Sequence, residues 1–124
     1  MRKLLLAAGL SLLSSLAVAA TDVENKWRLE LSGNAETAGQ VTLAIAGNDA
    51  EAILATVPIA EGLDEDAIAS AVVNELRLRL GDLYVIEQDD GEEIEIKRRP
   101  GDPKFSVSVV ENTVQGLGIS LDEE

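Results

Sequence analysis

Alternation of apolar and polar residues dominates the chain and is interrupted by one helical stretch. "NKWRLELS", Asn25 to Ser32, places Trp27, Leu29 and Leu31 on one side and Lys26, Arg28, Glu30 and Ser32 on the other. That is the period-two pattern of a half-buried strand. After the turn-rich "GNAETAG", the stretch "QVTLAIAG" resumes it with Val41, Leu43 and Ile45 inward. Gly47-Asn48-Asp49 turns the chain, and "EAILATVPI" sets Ile53, Ala55, Val57 and Ile59 on one face. Pro58 has no N–H to donate, so this third strand is expected to end there or to lie at a sheet edge.

The period then changes. Ile68, Ala71, Val72, Leu76 and Leu80 recur at helical spacing and predict one apolar stripe on a helix over Glu65 to Leu80. Asp64 occupies the N-cap position, Glu65 and Asp66 put negative charge in the first turn, and Arg77 and Arg79 put positive charge in the last. Gly81 is expected to stop the helix in a left-handed conformation. Strands return in "LYVIEQ", in "EEIEIKR" with Ile94 and Ile96 inward, and in "KFSVSVVE" with Phe105, Val107 and Val109 to one side. Asp90-Gly91 marks a tight turn between the first two. "VQGLGISL" reads as a final strand weakened by glycine. The expected fold is α+β: a mainly antiparallel sheet or small sandwich of five to six strands in the order βββαβββ, with one helix packed on it.

The first residues change the setting of this fold. Met1-Arg2-Lys3 is a basic head, Leu4 to Leu16 an apolar run, and Ala17-Val18-Ala19 a small-residue cleavage pattern. The run is short of the ~20 apolar residues that span a bilayer. A cleaved signal peptide at residues 1–20 and a single domain at 21–124 are therefore expected, exported to the periplasm or cell surface, with no membrane attachment after cleavage. The chain has 10 Lys and Arg against 23 Asp and Glu, a net charge of −13, and losing Arg2 and Lys3 leaves 8 bases and a net −15. Such a field repels nucleic acid and anionic membrane surfaces and gathers cations or basic partners. With no cysteine, the core carries the stability without disulfides.

Six carboxylates crowd the stretch Val85 to Glu95. A helix–loop–helix calcium loop with Gly91 in the glycine slot would need its first ligand at Ile86, which has none. A looser, weak calcium or other divalent-cation site remains open at Asp89, Asp90 and Glu92; the plainer reading is a solvated hairpin tip. Glu93 and Glu95 share a face about 7 Å apart along the strand. Acid–base chemistry by such a pair needs one carboxyl buried across a cleft. The absence of histidine and cysteine removes serine–histidine and cysteine catalysis and the usual structural zinc sites. No glycine-rich phosphate loop precedes the helix, so no enzyme activity and no cofactor are expected. Lys97, Arg98, Arg99 and Lys104 either pair with Glu92, Glu93 and Glu95 across neighbouring strands or form a basic docking spot for a protein partner. Trp27 is read as core rather than as a stacking platform, and Tyr84 and Phe105 are the only other aromatic residues.

Gly33 to Leu76 resembles a small β-rich insertion module of contractile-phage tail sheath and related tail and surface proteins. The matching residues are Gly33, Ala35, Ala38-Gly39, the alternating Val41, Leu43 and Ile45 into Gly47, Val57, and the helix with Ala67-Ile68-Ala69 and Asn74. This chain is much smaller than a sheath protein and carries an export pattern that tail proteins lack. The resemblance implies a strand–strand–helix unit that serves assembly and has no catalytic residues. Taken together, the sequence predicts an exported, non-catalytic structural or protein-interaction module that binds a protein partner or itself. The alternative is a small periplasmic ligand- or cation-binding protein.

Overall fold

In a computed structural model, residues 22–48 and 50–124 are described; the leader read at residues 1–20 and Asp49 of the second turn lie outside them. Among the described residues, seven antiparallel strands and one helix follow the order βββαββββ. They are β1 (Lys26–Gly33), β2 (Gly39–Gly47), β3 (Ile53–Ile59), α1 (Glu65–Leu80), β4 (Tyr84–Asp89), β5 (Glu93–Arg98), β6 (Phe105–Asn112) and β7 (Leu117–Glu123). The α+β class holds, with one strand more than the expected six: the glycine-weakened C-terminal stretch is a full strand. It pairs with β1 from Gly33↔Leu117 to Trp27↔Glu123, and that long ladder compensates for the two small residues Gly118 and Ser120.

The strands form two sheets, a four-stranded one ordered β4-β5-β1-β7 and a three-stranded one ordered β3-β2-β6. The inner faces of both and one side of α1 close a single apolar core. Trp27 lies in it, and its indole N–H donates to the Phe105 carbonyl at 2.9 Å, tying β1 of one sheet to β6 of the other. Glu24 and Phe105 exchange two further backbone hydrogen bonds of 2.8 and 2.9 Å at the same seam. Tyr84 packs on the Phe105 ring with centroids 4.7 Å apart.

The helix spans the predicted residues. Asp64 accepts from the Ala67 N–H at 2.9 Å, satisfying one of the four amides a helix start leaves unpaired. Its buried side carries Ile68, Ala69, Val72, Val73, Leu76 and Leu80, broader than the predicted stripe, with Ala71 at the margin. The breadth follows from its position, because α1 packs against β1, β4 and β5 of one sheet and β3 of the other. Gly81 departs from expectation. It is right-handed, with φ −62° and ψ −22°, and its N–H continues the ladder to the Arg77 carbonyl at 3.0 Å. Glycine is needed there for closeness: a Cβ would lie 2.5 Å from that oxygen. Pro58 sits on β3, which is an edge strand, as its missing donor requires. Ile53, expected inward, is more than a third exposed at the open start of that edge strand.

Candidate functional site

Two surfaces stand out, an acidic end and a sheet face with almost no charge. The acidic end is built from the β4–β5 turn. Asp90 and Gly91 both have positive φ, 49° and 78°, as a tight hairpin turn demands. The turn is clamped to the start of α1. Gln88 Nε2 donates to the Gly91 carbonyl at 2.7 Å, while Ser70 Oγ donates to Gln88 Oε1 at 3.1 Å. A Cβ on Gly91 would fall 2.8 Å from the Asp66 carboxylate, so the turn and the first helical turn touch. The Leu31 N–H donates to the Glu92 carbonyl at 3.0 Å and fixes the turn to β1.

This clamp brings together carboxylates from three elements. Glu30 with Glu92 and Glu93, Glu65 and Asp66 with Glu92, and Asp89 and Asp90 with Glu93 each form a set whose oxygens lie within 4.8 Å of one another. Asp89, Asp90 and Glu92 were the residues singled out from sequence, and the structure divides them. Asp89 and Asp90 face Glu93, and Glu92 faces the helix start and Glu30. Glu30, Glu65, Asp66 and Glu93 complete the sets, and no local motif marks them. Glu30 stands directly opposite Glu93 in the β1–β5 register, a like-charge pair that only the long-range pairing shows.

Glu93 and Glu95 do not face each other across a cleft. They flank Arg28 of β1, which lies opposite Glu95 in register. Arg28 Nη2 donates to Glu95 Oε2 at 2.9 Å, and Arg28 Nη1 lies 3.5 Å from Glu93 Oε1. Arg28 Nε approaches Glu124 Oε2 to 3.1 Å, but the contact is too poorly aligned to count as a hydrogen bond. Glu95 is buried by these neighbours although it belongs to the outward face, which corrects the expectation that it is solvated. Loss of hydration pushes the Glu93 carboxyl above its ordinary value of 4.5; Arg28 opposes the shift, and Asp90, Glu30 and Glu92 add to it. A carboxyl with a raised native pKa stabilises the fold below its unfolded pKa, and that contribution disappears as pH climbs through the native one. Glu93→Gln should therefore gain stability relative to the parent as pH rises from 4 to 7. Urea midpoints at the two pH values measure it, and an equal difference at both would rule out crowding at Glu93.

The basic residues act largely within the chain. Lys97 pairs with Glu87 at 3.0 Å rather than with Glu92, Glu93 or Glu95. Arg98 donates to Asn25 Oδ1 at 2.7 Å and to the Asp102 carbonyl at 2.9 Å. Arg99 donates to the Gly81 carbonyl and so caps the end of α1. Lys104 is exposed. Lys97 and Arg98 also line an open cavity of about 380 Å³ with Asn25, Lys26 and Pro100.

The second surface is the outer side of the three-stranded sheet. Thr42, Ala44 and Ala46 of β2 lie between Leu54, Thr56 and Pro58 of β3 and Ser106 and Ser108 of β6, and of these Thr42 and Ala44 are already buried by their neighbours. Glu111 is the only charged residue in these three strands. The hydroxyls of Thr42 and Thr56 are 3.0 Å apart and share a hydrogen bond; Thr42 lies 3.3 Å from Glu111 Oε1, and Gln40 Nε2 donates to that oxygen at 2.8 Å. Leu54 is 57% exposed, and Val110, at the β-bulge opposite Thr42 and Leu43, is 51% exposed. The four-stranded sheet, by contrast, carries Lys26, Arg28, Glu30, Glu87, Asp89, Glu93, Glu95, Lys97, Arg98, Asp122 and Glu123 on its strands.

No family model, no curated protein and no solved structure matches this chain.

Proposed function

We propose that this protein is an exported, non-catalytic structural or interaction module of the bacterial envelope or surface. The observation that carries the reading is the outer face of the β3-β2-β6 sheet, which holds a single charged residue, Glu111, in a chain of net charge −13. Solvent-exposed sheet faces ordinarily alternate charged and polar residues outward. A face of Thr, Ala, Ser, Pro and Leu, bordered by two half-exposed apolar side chains, is suited to contact with another protein surface. The sequence lacks histidine and cysteine, and Glu93 and Glu95 are arranged around Arg28 rather than around a substrate-sized gap. Export rests on the Met1–Ala20 pattern. The likeness of Gly33–Leu76 to a tail assembly module agrees with a role in assembly.

A second reading follows from the carboxylate sets at the hairpin end: a weak divalent-cation site, of calcium type, using Asp89, Asp90 and Glu93 or, beside the helix start, Glu92 with Glu65 and Asp66. One experiment separates the two. A photo-crosslinking residue is placed at Ser108, on the outer face of this sheet, and in a second variant at Leu78, an exposed helix position. A specific adduct from Ser108 alone, with a melting temperature that millimolar calcium moves no further than matched ionic strength does, is the expected result. No adduct, together with a calcium-specific rise in melting temperature, would reverse the order of the two readings.

A further inference from the structure

We infer that a cleft beside Tyr84 binds a small organic cation, an ammonium group carried on a short apolar body. The cleft has a volume of about 300 Å³, at the small end of the range for small-molecule sites. It is separate from the hairpin carboxylates and from the outward positions of the three-stranded sheet. Its walls come from three connections: the β2–β3 turn with Glu51, the α1–β4 link with Leu83, and the β5–β6 loop with Asp102 and Pro103. Backbone bonds hold two of these walls in place. The Asn48 N–H donates to the Lys104 carbonyl at 2.8 Å, the Asp102 N–H donates to the Arg99 carbonyl at 3.0 Å, and Arg98 donates to the Asp102 carbonyl at 2.9 Å. A ligand therefore meets a cleft already formed.

Tyr84 is the polar group that points to a ligand. It is only 9% exposed, and its ring packs on Phe105 in the core. Its hydroxyl lies at the cleft, over the Gly47 backbone: a Cβ on Gly47 would be 3.9 Å from that oxygen and 3.7 Å from Pro103 Cγ. Among the described residues the hydroxyl has no hydrogen-bond partner. A buried hydroxyl left in that state is costly, and a ligand that bonds to it removes the cost. Burial, and after it the charge of Asp102, hold the hydroxyl above its ordinary value of 10, so it stays protonated at neutral pH and offers its lone pairs to an N–H donor.

The charges around the cleft have one sign. Glu51 and Asp102 line it, and among the described residues neither forms an ion pair. No lysine or arginine lines it; Lys104, next in sequence to Pro103, lies outside. Exposed acids are common on this chain, and two of them alone would mark nothing. What distinguishes these is the apolar wall beside them. Ile53 and Leu83, 37% and 47% exposed, are two of the large apolar side chains this surface leaves uncovered, and both line the cleft. A bare metal ion would leave them in water, and an anion would face both carboxylates. An amine with an apolar body covers Ile53, Leu83 and Pro103 while its ammonium group reaches Tyr84 and the two acids.

Titration of the purified protein with phenethylammonium chloride at constant ionic strength, followed by amide chemical shifts in NMR, tests this. Saturable shifts are expected at Gly47, Leu83 and Asp102, with a dissociation constant on the order of 1 mM for a ligand of so few atoms. Phenethyl alcohol, which lacks the charge, and ethylammonium, which lacks the apolar body, should each bind at least tenfold more weakly. The double variant Glu51→Gln, Asp102→Asn should weaken phenethylammonium at least tenfold, and Tyr84→Phe about threefold or more. Glu61→Gln, which removes an exposed acid elsewhere, should leave it unchanged. Shifts that never saturate or that fall at the hairpin instead of the cleft would overturn the inference. So would equal binding of either comparison compound, or a double variant that binds as tightly as the parent. Unchanged affinity in Tyr84→Phe would remove the hydroxyl from the site.

Discussion

Leu76→Ala should cost the fold about 2–5 kcal/mol, the usual range for truncating a buried leucine. Leu76 has no exposed surface, and α1 packs on strands of both sheets, so little can move inward to fill the space left behind. A domain of this size has a stability of about 5–15 kcal/mol. No disulfide supplements the core, so the loss is a large fraction of the total. Leu78→Ala is the matched control: it lies on the same helix, is 82% exposed, and should change stability by less than about 0.5 kcal/mol. Urea unfolding reads both, with the slope unchanged and the midpoint lowered only for Leu76→Ala. Equal midpoints would mean that the helix does not close the core.

The same residue shows why much of the fold was readable. The spacing of Ile68, Val72, Leu76 and Leu80 is local, and so are the Asp64 cap and the charges at either helix end; together they define α1 at Glu65–Leu80. Alternation likewise places Trp27, Leu29, Leu31, Val41, Leu43, Ile45, Ile94, Ile96, Phe105 and Val107 in the core. What is not local was missed. Ala69 and Val73 are buried on a helix that packs against strands of both sheets, and periodicity on one element carries no sign of that. Gly81 satisfies the rule for a helix end by composition, yet a close carbonyl rather than a left-handed turn explains it. The last strand is unattractive by propensity and exists through its seven-position ladder with β1.

The candidate surfaces divide in the same way. The hairpin turn and its acids were visible, but the convergence of Glu30, Glu65 and Asp66 on that turn depends on the β1–β5 register and on the clamp at Gln88. The ion pairs differ from those expected for a related reason: Arg28, far away in sequence, lies opposite Glu95, while Lys97 reaches Glu87 on its other neighbour. The charge-poor sheet face is within reach of the sequence, since Thr42, Ala44, Leu54, Thr56, Ser106 and Ser108 are the outward positions of three alternating strands. Only the assembly of those strands, and no others, into one sheet turns scattered small residues into a continuous surface.

Gly33→Ala should be at least as damaging as the core truncation, through backbone contact rather than lost burial. At the end of β1 Gly33 has φ +86°, a region that costs a side-chain-bearing residue about 1–3 kcal/mol. An added Cβ would also lie within van der Waals overlap of the Gly116 carbonyl oxygen, and a backbone group cannot swing aside as a long side chain can. The reverse crowding occurs at Gly116, where a Cβ would lie 2.5 Å from the Asn34 carbonyl. Two chain segments cross here, the link from β1 to β2 and the link from β6 to β7. Both run between the two sheets, and Glu36 N–H donates across the crossing to the Gln115 carbonyl at 2.8 Å. Relieving the overlap means parting these links and straining the ladder that begins at Gly33↔Leu117. A total loss of about 3 kcal/mol or more is expected. Gly62→Ala isolates the conformational part, because Gly62 has φ +93° with nothing near its missing Cβ. The excess of Gly33→Ala over Gly62→Ala in urea unfolding measures the cost of the crossing, and a zero excess would show that the two links are free to separate.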